Sequence, residues 1–137
     1  MSEYWKDASD IQDAVVKMFE MAEGDPVVLE KAKALNTVIV YKYHDPDAQV
    51  WWDTRNGEYK AGAGEPPAPF EIQISCSADD GHRAWSSKLN TAMAMTRKKL
   101  KIKGSMPILM KMSPILKNFT VAYNKVLQES GKESIML

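Results

Sequence analysis

Lys99-Leu100-Lys101-Ile102-Lys103-Gly104-Ser105-Met106-Pro107-Ile108-Leu109-Met110-Lys111-Met112 changes period in its middle, and that change decides the fold. Before Gly104, Leu100 and Ile102 alternate with lysines, the two-residue repeat of a strand that keeps one face dry and turns its charges to water. After it, Ser105 and Pro107 open a helix. Ile108, Leu109, Met112, Ile115, Leu116, Phe119, Ala122, Tyr123 and Val126 then sustain the helical period, with Pro114 expected to bend or divide the helix. A lysine-guarded strand therefore feeds into closing helices unusually rich in apolar side chains.

Upstream, Phe70, Ile72, Ile74 and Cys76 alternate with Glu71, Gln73 and Ser75, which predicts a half-buried strand. Ser77 before Ala78-Asp79-Asp80 is a helix start with acidic residues at the positive end of the dipole, leading through Ala84, Trp85 and Leu89. A second helical piece spans Thr91 to Arg97. The three prolines between Gly64 and Pro69 exclude a ladder there and mark a loop. Farther back, Thr37 to His44 is a β-branched and aromatic run, predicted as a central strand. Asp45-Pro46-Asp47 turns it into an antiparallel partner over Ala48 to Thr54, and Asn56-Gly57 predicts a tight hairpin returning as Glu58 to Gly62. Ile11, Ala14, Val15, Met18, Phe19 and Ala22 stripe an amphipathic helix from Asp10 to Glu23. Asp25-Pro26 caps a shorter helix that Asn36 closes. The order is α+β: helices, four strands, helices, a fifth strand and closing helices, with a mostly antiparallel sheet whose dry face needs a helical cover.

The 137 residues fit one domain, with a core from about 10 to 127 and a C-terminal tail from 128 to 137. No run approaches the ~18 apolar residues of a membrane span. The charged first segment, with Glu3, Lys6, Asp7 and Asp10, is unlike a secretory signal, and Cys76 has no second thiol. Together these point to a cytoplasmic protein. Net charge is zero but polarised: residues 1–80 hold 16 acidic and 7 basic side chains, while residues 81–128 hold no acidic and 10 basic ones. Such a chain either presents a basic face to phosphates, lipid head groups or an acidic partner, or interleaves its halves so that they cancel.

Catalytic patterns are lacking, so the chain is expected not to be an enzyme and to need no cofactor. His44 and His82 have no histidine or cysteine at metal-ligand spacing. Cys76 falls in register with apolar neighbours, as a buried inert thiol does. Gly62-Ala63-Gly64 lacks the Lys-Ser/Thr of a phosphate loop, and Asn118-Phe119-Thr120 lies in a helical segment rather than an exposed glycosylation loop. The run Arg97 to Lys103 has no aromatic stacking platform beside it, which argues against nucleic acid and for an edge strand protected by lysines.

The order of elements, and above all Lys99-Leu100-Lys101-Ile102-Lys103-Gly104 followed by a helix rich in Met, Leu and Ile, resembles the sterol carrier protein 2 (sterol-binding domain) family from about Asp10 to Leu127. The resemblance implies a five-stranded sheet against helices, with an apolar tunnel between the sheet and the C-terminal helices. It also implies non-catalytic binding and carriage of a fatty acid, fatty acyl-CoA or sterol-like lipid. The family often has Gly where this chain has Lys98, and Ile135-Met136-Leu137 is not the Ser-Lys-Leu-like tripeptide of peroxisomal members, so that address is not carried over.

The residues agree with such a lipid. Met93, Met95, Met106, Met110 and Met112 surround the last strand and the closing helix, where flexible thioethers make a shape-tolerant wall. Ile102, Met106, Leu109, Met110, Leu116 and Phe119 are the expected cavity wall, with Trp51 and Trp85 as contributors, and ordinary core packing is the alternative for each. At ~0.8 kcal/mol per methylene, a chain of roughly a dozen yields about 10 kcal/mol before ordering costs, enough without a polar anchor. The other readings are a protein-interaction module without a cavity and an accessory module presenting an acyl substrate to a partner enzyme. Transient contact with a membrane surface or an acyl-handling enzyme belongs with the carrier reading.

Overall fold

Short polar side chains start five of the six α-helices, by accepting a hydrogen bond from a backbone N–H that the first turn leaves without a partner. Asp7 accepts from Asp10 N at the start of α1 (Ala8–Ala22), and Asp25 from Val27 N at α2 (Pro26–Leu35). Ser77, Asn90 and Ser105 do the same for α3 (Ala78–Trp85), α4 (Thr91–Thr96) and α5 (Met106–Met112). The sixth, α6 (Leu116–Glu129), needs no such cap because it continues from the 3-10 turn Ser113–Ile115, where Pro114 divides the closing helix. The stripe predicted for α1 is the face it buries: Ile11, Ala14, Val15, Met18, Phe19 and Ala22 are all in the core.

The computed structural model describes residues 2–137, and among them five strands form one sheet in the order β3-β2-β1-β4-β5. They are β1 (Val38–His44), β2 (Ala48–Asp53), β3 (Lys60–Ala63), β4 (Ile72–Ser77) and β5 (Lys101–Gly104). β1 is central, as its apolar composition predicts. Three of the four pairings are antiparallel, and β1 runs parallel to β4 with Tyr41 beside Ile74 and Tyr43 beside Cys76. The predicted hairpin is looser than a two-residue turn. Asn56 and Gly57 do take positive φ, 57° and 74°, but within the 3-10 turn Arg55–Gly57, so Asp53 pairs with Lys60 and β3 starts later than expected. Phe70 likewise precedes its strand, and α3 stops at Trp85, well before Leu89.

Ile39, Tyr41, Tyr43, Val50, Trp52, Ile72 and Cys76 point to the helix-covered face and join one apolar core. Phe19, Trp52 and Phe119 pack at its centre with ring centroids 5.0–5.4 Å apart. β5 is one of the two edge strands, its Lys101 and Lys103 exposed on either side of the half-buried Ile102. Its end requires glycine: Gly104 sits at φ 114°, and a Cβ there would lie 2.1 Å from the Glu71 carbonyl oxygen.

The last residues fold back. His82, fully buried, reaches the Ile135 carbonyl oxygen from Nε2 and the Tyr123 hydroxyl from Nδ1, both at 2.7 Å. A carbonyl only accepts, so Nε2 carries the proton and Nδ1 accepts from Tyr123, which fixes a neutral tautomer. Removal from water pushes the His82 pKa below the ordinary 6.5, outweighing the Ile135 carbonyl and Asp79, which pull it upward. The unfolded chain therefore binds this proton more readily than the folded one. Its contribution to stability is complete above 6.5 and is lost as pH falls through that value toward the folded pKa. Asp53 titrates below its ordinary 3.8, because the hydrogen bonds and charge of Arg55 outweigh its burial, so its own loss comes at more acidic pH. The urea midpoint should fall between pH 7.5 and 5, and His82→Gln should flatten that slope; an equal slope in the variant would remove His82 as its source.

Candidate functional site

Between the helix-facing side of the sheet and α3 to α6 lies an apolar pocket of about 110 Å³. Strand alternation aims Tyr41 and Tyr43 of β1, Ile74 and Cys76 of β4, and Ile102 of β5 into it. α3 supplies Gly81, Ala84 and Trp85, and Thr91, Leu100, Leu109, Met112 and Leu116 complete the wall. The pocket has a dry end and a wet end. Tyr41, Tyr43, Cys76, Trp85 and Met112 are at most 6% exposed, whereas Leu116 is 40% exposed and Thr91 also faces solvent. The mouth therefore opens between the starts of α4 and α6, beside β5. Gly81 shapes the dry end, since a Cβ there would lie 2.5 Å from the Tyr43 ring, which rests against bare helix backbone.

The polar atoms of the pocket are few. Tyr43 Oη accepts a hydrogen bond from Trp85 Nε1 at 3.0 Å, and its own proton has no partner among the described residues. Burial pushes the Tyr43 pKa up, so the hydroxyl stays protonated and remains a donor. Tyr41 Oη is spent on the Met112 sulfur at 3.8 Å. Burial also pushes the Cys76 thiol up to about 12, with Asp80 adding to the shift, so it is not a nucleophile at neutral pH. Among the described residues no cluster of three or more metal-ligating side chains occurs. Such a wall can enclose an apolar guest and offer it one hydrogen bond.

Of the side chains expected from sequence, Trp85, Ile102, Leu109, Met112 and Leu116 come together around this pocket. Phe119 sits behind it, fully buried against Phe19, Trp52 and Trp85. Met93, Met95, Met106 and Met110 stay exposed, Met110 at 72%. Trp51 points to the opposite face of the sheet, where its indole covers Gly62. Tyr41, Tyr43, Ile74, Cys76, Gly81, Ala84, Thr91 and Leu100 line the pocket without having been singled out as lining. The alternation in β1 and β4 places Tyr41, Tyr43, Ile74 and Cys76 on the dry face, but that pattern alone does not distinguish a side chain facing a void from one facing another side chain.

The SCP-2 sterol transfer family model matches residues 18–117. The chain is 30% identical over 105 residues to a zebrafish (Danio rerio) protein named hydroxysteroid dehydrogenase-like protein 2, an alignment covering 74% of this chain and 25% of that one. This chain thus spans about a quarter of the length of the curated relatives it matches. Among solved structures, the sterol carrier protein domain 2 of Helicoverpa armigera superposes with a TM-score of 0.66 at 19% identity, covering 80% of this chain and 87% of that one. Sterol carrier protein 2 of Aedes aegypti, in complex with the C16 fatty acid palmitate, superposes with a TM-score of 0.52 at 12% identity, over 75% of this chain and 94% of that one.

Proposed function

The chain belongs to the SCP-2 sterol transfer family, and from that premise we propose that it binds and carries a fatty-acyl or similarly slender lipid without transforming it. The observation that carries this reading is the pocket whose wall is apolar apart from two tyrosine hydroxyls, the Trp85 indole N–H bound to one of them, Thr91 and the Cys76 thiol. The acyl chain lies between the sheet and α5, its tail toward the buried Tyr43 and Trp85 and its polar head toward the solvent-facing Thr91 and Leu116. Ligand sites commonly span ~300–1,000 Å³, so a space of about 110 Å³ takes a whole acyl chain only as the half-buried Leu100, Ile102 and Leu109 move outward. Nothing in the wall activates a nucleophile, which supports binding rather than turnover. The palmitate bound by the Aedes aegypti protein favours an acyl chain as the guest.

Native mass spectrometry of the purified chain is the direct test. An added lipid mass, lost after denaturing extraction, and displacement of a fluorescent fatty acid are the expected results. A native mass equal to the polypeptide with no displacement overturns the proposal. The relatives' length supports a second reading. The segment they share with this chain is a part of each, which suits an accessory module presenting an acyl substrate to a partner enzyme. Lipid binding together with a stable complex in a pull-down with an acyl-handling enzyme favours that reading over a free carrier.

A further inference from the structure

The dry end of the pocket holds a hydrogen-bond donor that the fold leaves without an acceptor. Three tyrosines are buried, Tyr41, Tyr43 and Tyr123. Tyr123 gives its proton to His82 Nδ1 at 2.7 Å, and Tyr41 turns its own to the Met112 sulfur at 3.8 Å. The half-buried Tyr59 donates to the Phe19 carbonyl oxygen. Tyr43 differs from all of them. Its oxygen accepts from Trp85 Nε1 at 3.0 Å, and its proton meets no acceptor among the described residues. Keeping a hydroxyl proton out of water without a partner is costly, and a phenylalanine would fill the same wall at no such cost.

The ring is also held so that its hydroxyl cannot seek an acceptor elsewhere. One flank rests on bare helix backbone at Gly81, where a Cβ would lie 2.5 Å from the ring. Strand pairing sets Cys76 beside it, and the indole of Trp85, another wall residue, fixes its oxygen. Donation from that indole polarises the phenol and makes its O–H the stronger donor. The surrounding wall offers little to a water molecule, which needs two or more polar partners: Tyr41 is engaged by Met112, and the Cys76 thiol is a weak partner. An oxygen carried in on an apolar body needs only the one.

We propose that the preferred guest is a fatty acid oxygenated at its far end, with a hydroxyl or ketone at or next to the terminal carbon whose oxygen accepts from the Tyr43 hydroxyl. This rests on the lipid-binding reading above and adds to it the chemistry of the tail. With the carboxylate at the mouth, beside Thr91 and Leu116, the far end is the part that arrives at Tyr43 and Trp85. A sterol carries an oxygen too, but its fused rings are far wider than one chain, and a space of about 110 Å³ must widen even for the chain. Tyr43 is then a specificity-determining residue. In an unbroken apolar wall the same oxygen would be stripped of water with nothing in exchange, so such a wall would select against it.

Displacement of a fluorescent fatty acid from the full chain compares the ω-hydroxy acids from decanoic to hexadecanoic with the plain acids of equal length. At the length that brings its oxygen to Tyr43, the hydroxy acid is expected to bind at least as tightly as the plain acid, although water holds it more strongly. The acid with a ketone at the next-to-last carbon, which can only accept, should share that preference. In Tyr43→Phe the ratio of the two affinities is expected to turn against the hydroxy acid about fivefold or more, the size of one hydrogen bond lost inside the wall. The ratio is the readout because both acids feel whatever the lost hydroxyl does to the fold or to Trp85. Weaker binding of the hydroxy acid by the parent chain at every length overturns the proposal, and needs no variant to show it. A smaller change of ratio in Tyr43→Phe overturns it as well, and so does a preference for the alcohol that the ketone does not share, since the guest would then be the donor. In each of these cases the plain acids still bind and carriage stands. If neither kind of acid binds, the lipid-binding reading itself falls.

Discussion

Leu109→Trp is expected to weaken fatty-acid binding about 60-fold while leaving the chain folded. Leu109 projects from α5 into the pocket, is half-buried, and lies beside the mouth. An indole there has unoccupied space to enter, so the overpacking strain that usually accompanies enlargement of a core residue is small. The same entry removes length from the guest. Three displaced methylenes at ~0.8 kcal/mol each amount to about 2.4 kcal/mol, which is the 60-fold loss. Displacement of a fluorescent fatty acid measures it, with near-UV circular dichroism and urea unfolding as controls on the fold. Leu109→Met, which nearly conserves volume, should stay within a few-fold of the parent chain. Affinity unchanged in the tryptophan variant would show that the guest does not pass Leu109, and the pocket described above would lose its claim.

The contrast between Met110 and Met112 shows why the fold was more legible than the site. Both lie on α5 two residues apart, yet Met110 is 72% exposed and Met112 is 2% exposed. The helix is apolar almost all the way round, so its period does not say which side faces the sheet. Trp51 and Trp52 pose the same question in a strand. Adjacent positions face opposite sides, and only the pairing of β2 with β1 and β3 decides that Trp52 enters the core while Trp51 covers Gly62. Local chemistry, by contrast, was sufficient for the caps at Asp25, Ser77 and Ser105, the stripe of α1, the closing of α2 at Asn36 and the lysine-bearing edge strand. The parallel pairing of β1 with β4 left no local trace, because it joins segments separated by two strands and a proline-rich loop. That pairing is also what sets Tyr43 beside Cys76 and so creates the inner wall.

Phe119→Ala should cost the folded state 3–5 kcal/mol, the range found for deleting a fully buried aromatic ring. Phe119 is fully buried, edge-on to Phe19 at 5.3 Å, to Trp52 at 5.4 Å and to Trp85 at 5.8 Å between ring centroids. Those partners come from α1, β2 and α3, so the ring ties α6 to three other elements. Domains of this size are stable by only ~5–15 kcal/mol, so the loss is a large share of the whole. The void left by the ring also adjoins the pocket. Trp85 lines the pocket on one side and contacts Phe119 on the other, and Leu116 is one helical turn away on α6. A fatty acid whose chain reaches that space should restore part of the loss by mass action, about 2.7 kcal/mol at a free concentration one hundred times its Kd. Urea unfolding of the variant with and without saturating fatty acid reads both effects, and the rescue should grow with chain length more steeply than in the parent chain. A loss below 1 kcal/mol would show that the aromatic cluster does not hold α6 in place. A full loss with identical rescue in both chains would show that Trp85 seals the pocket and that the guest never reaches the core behind it.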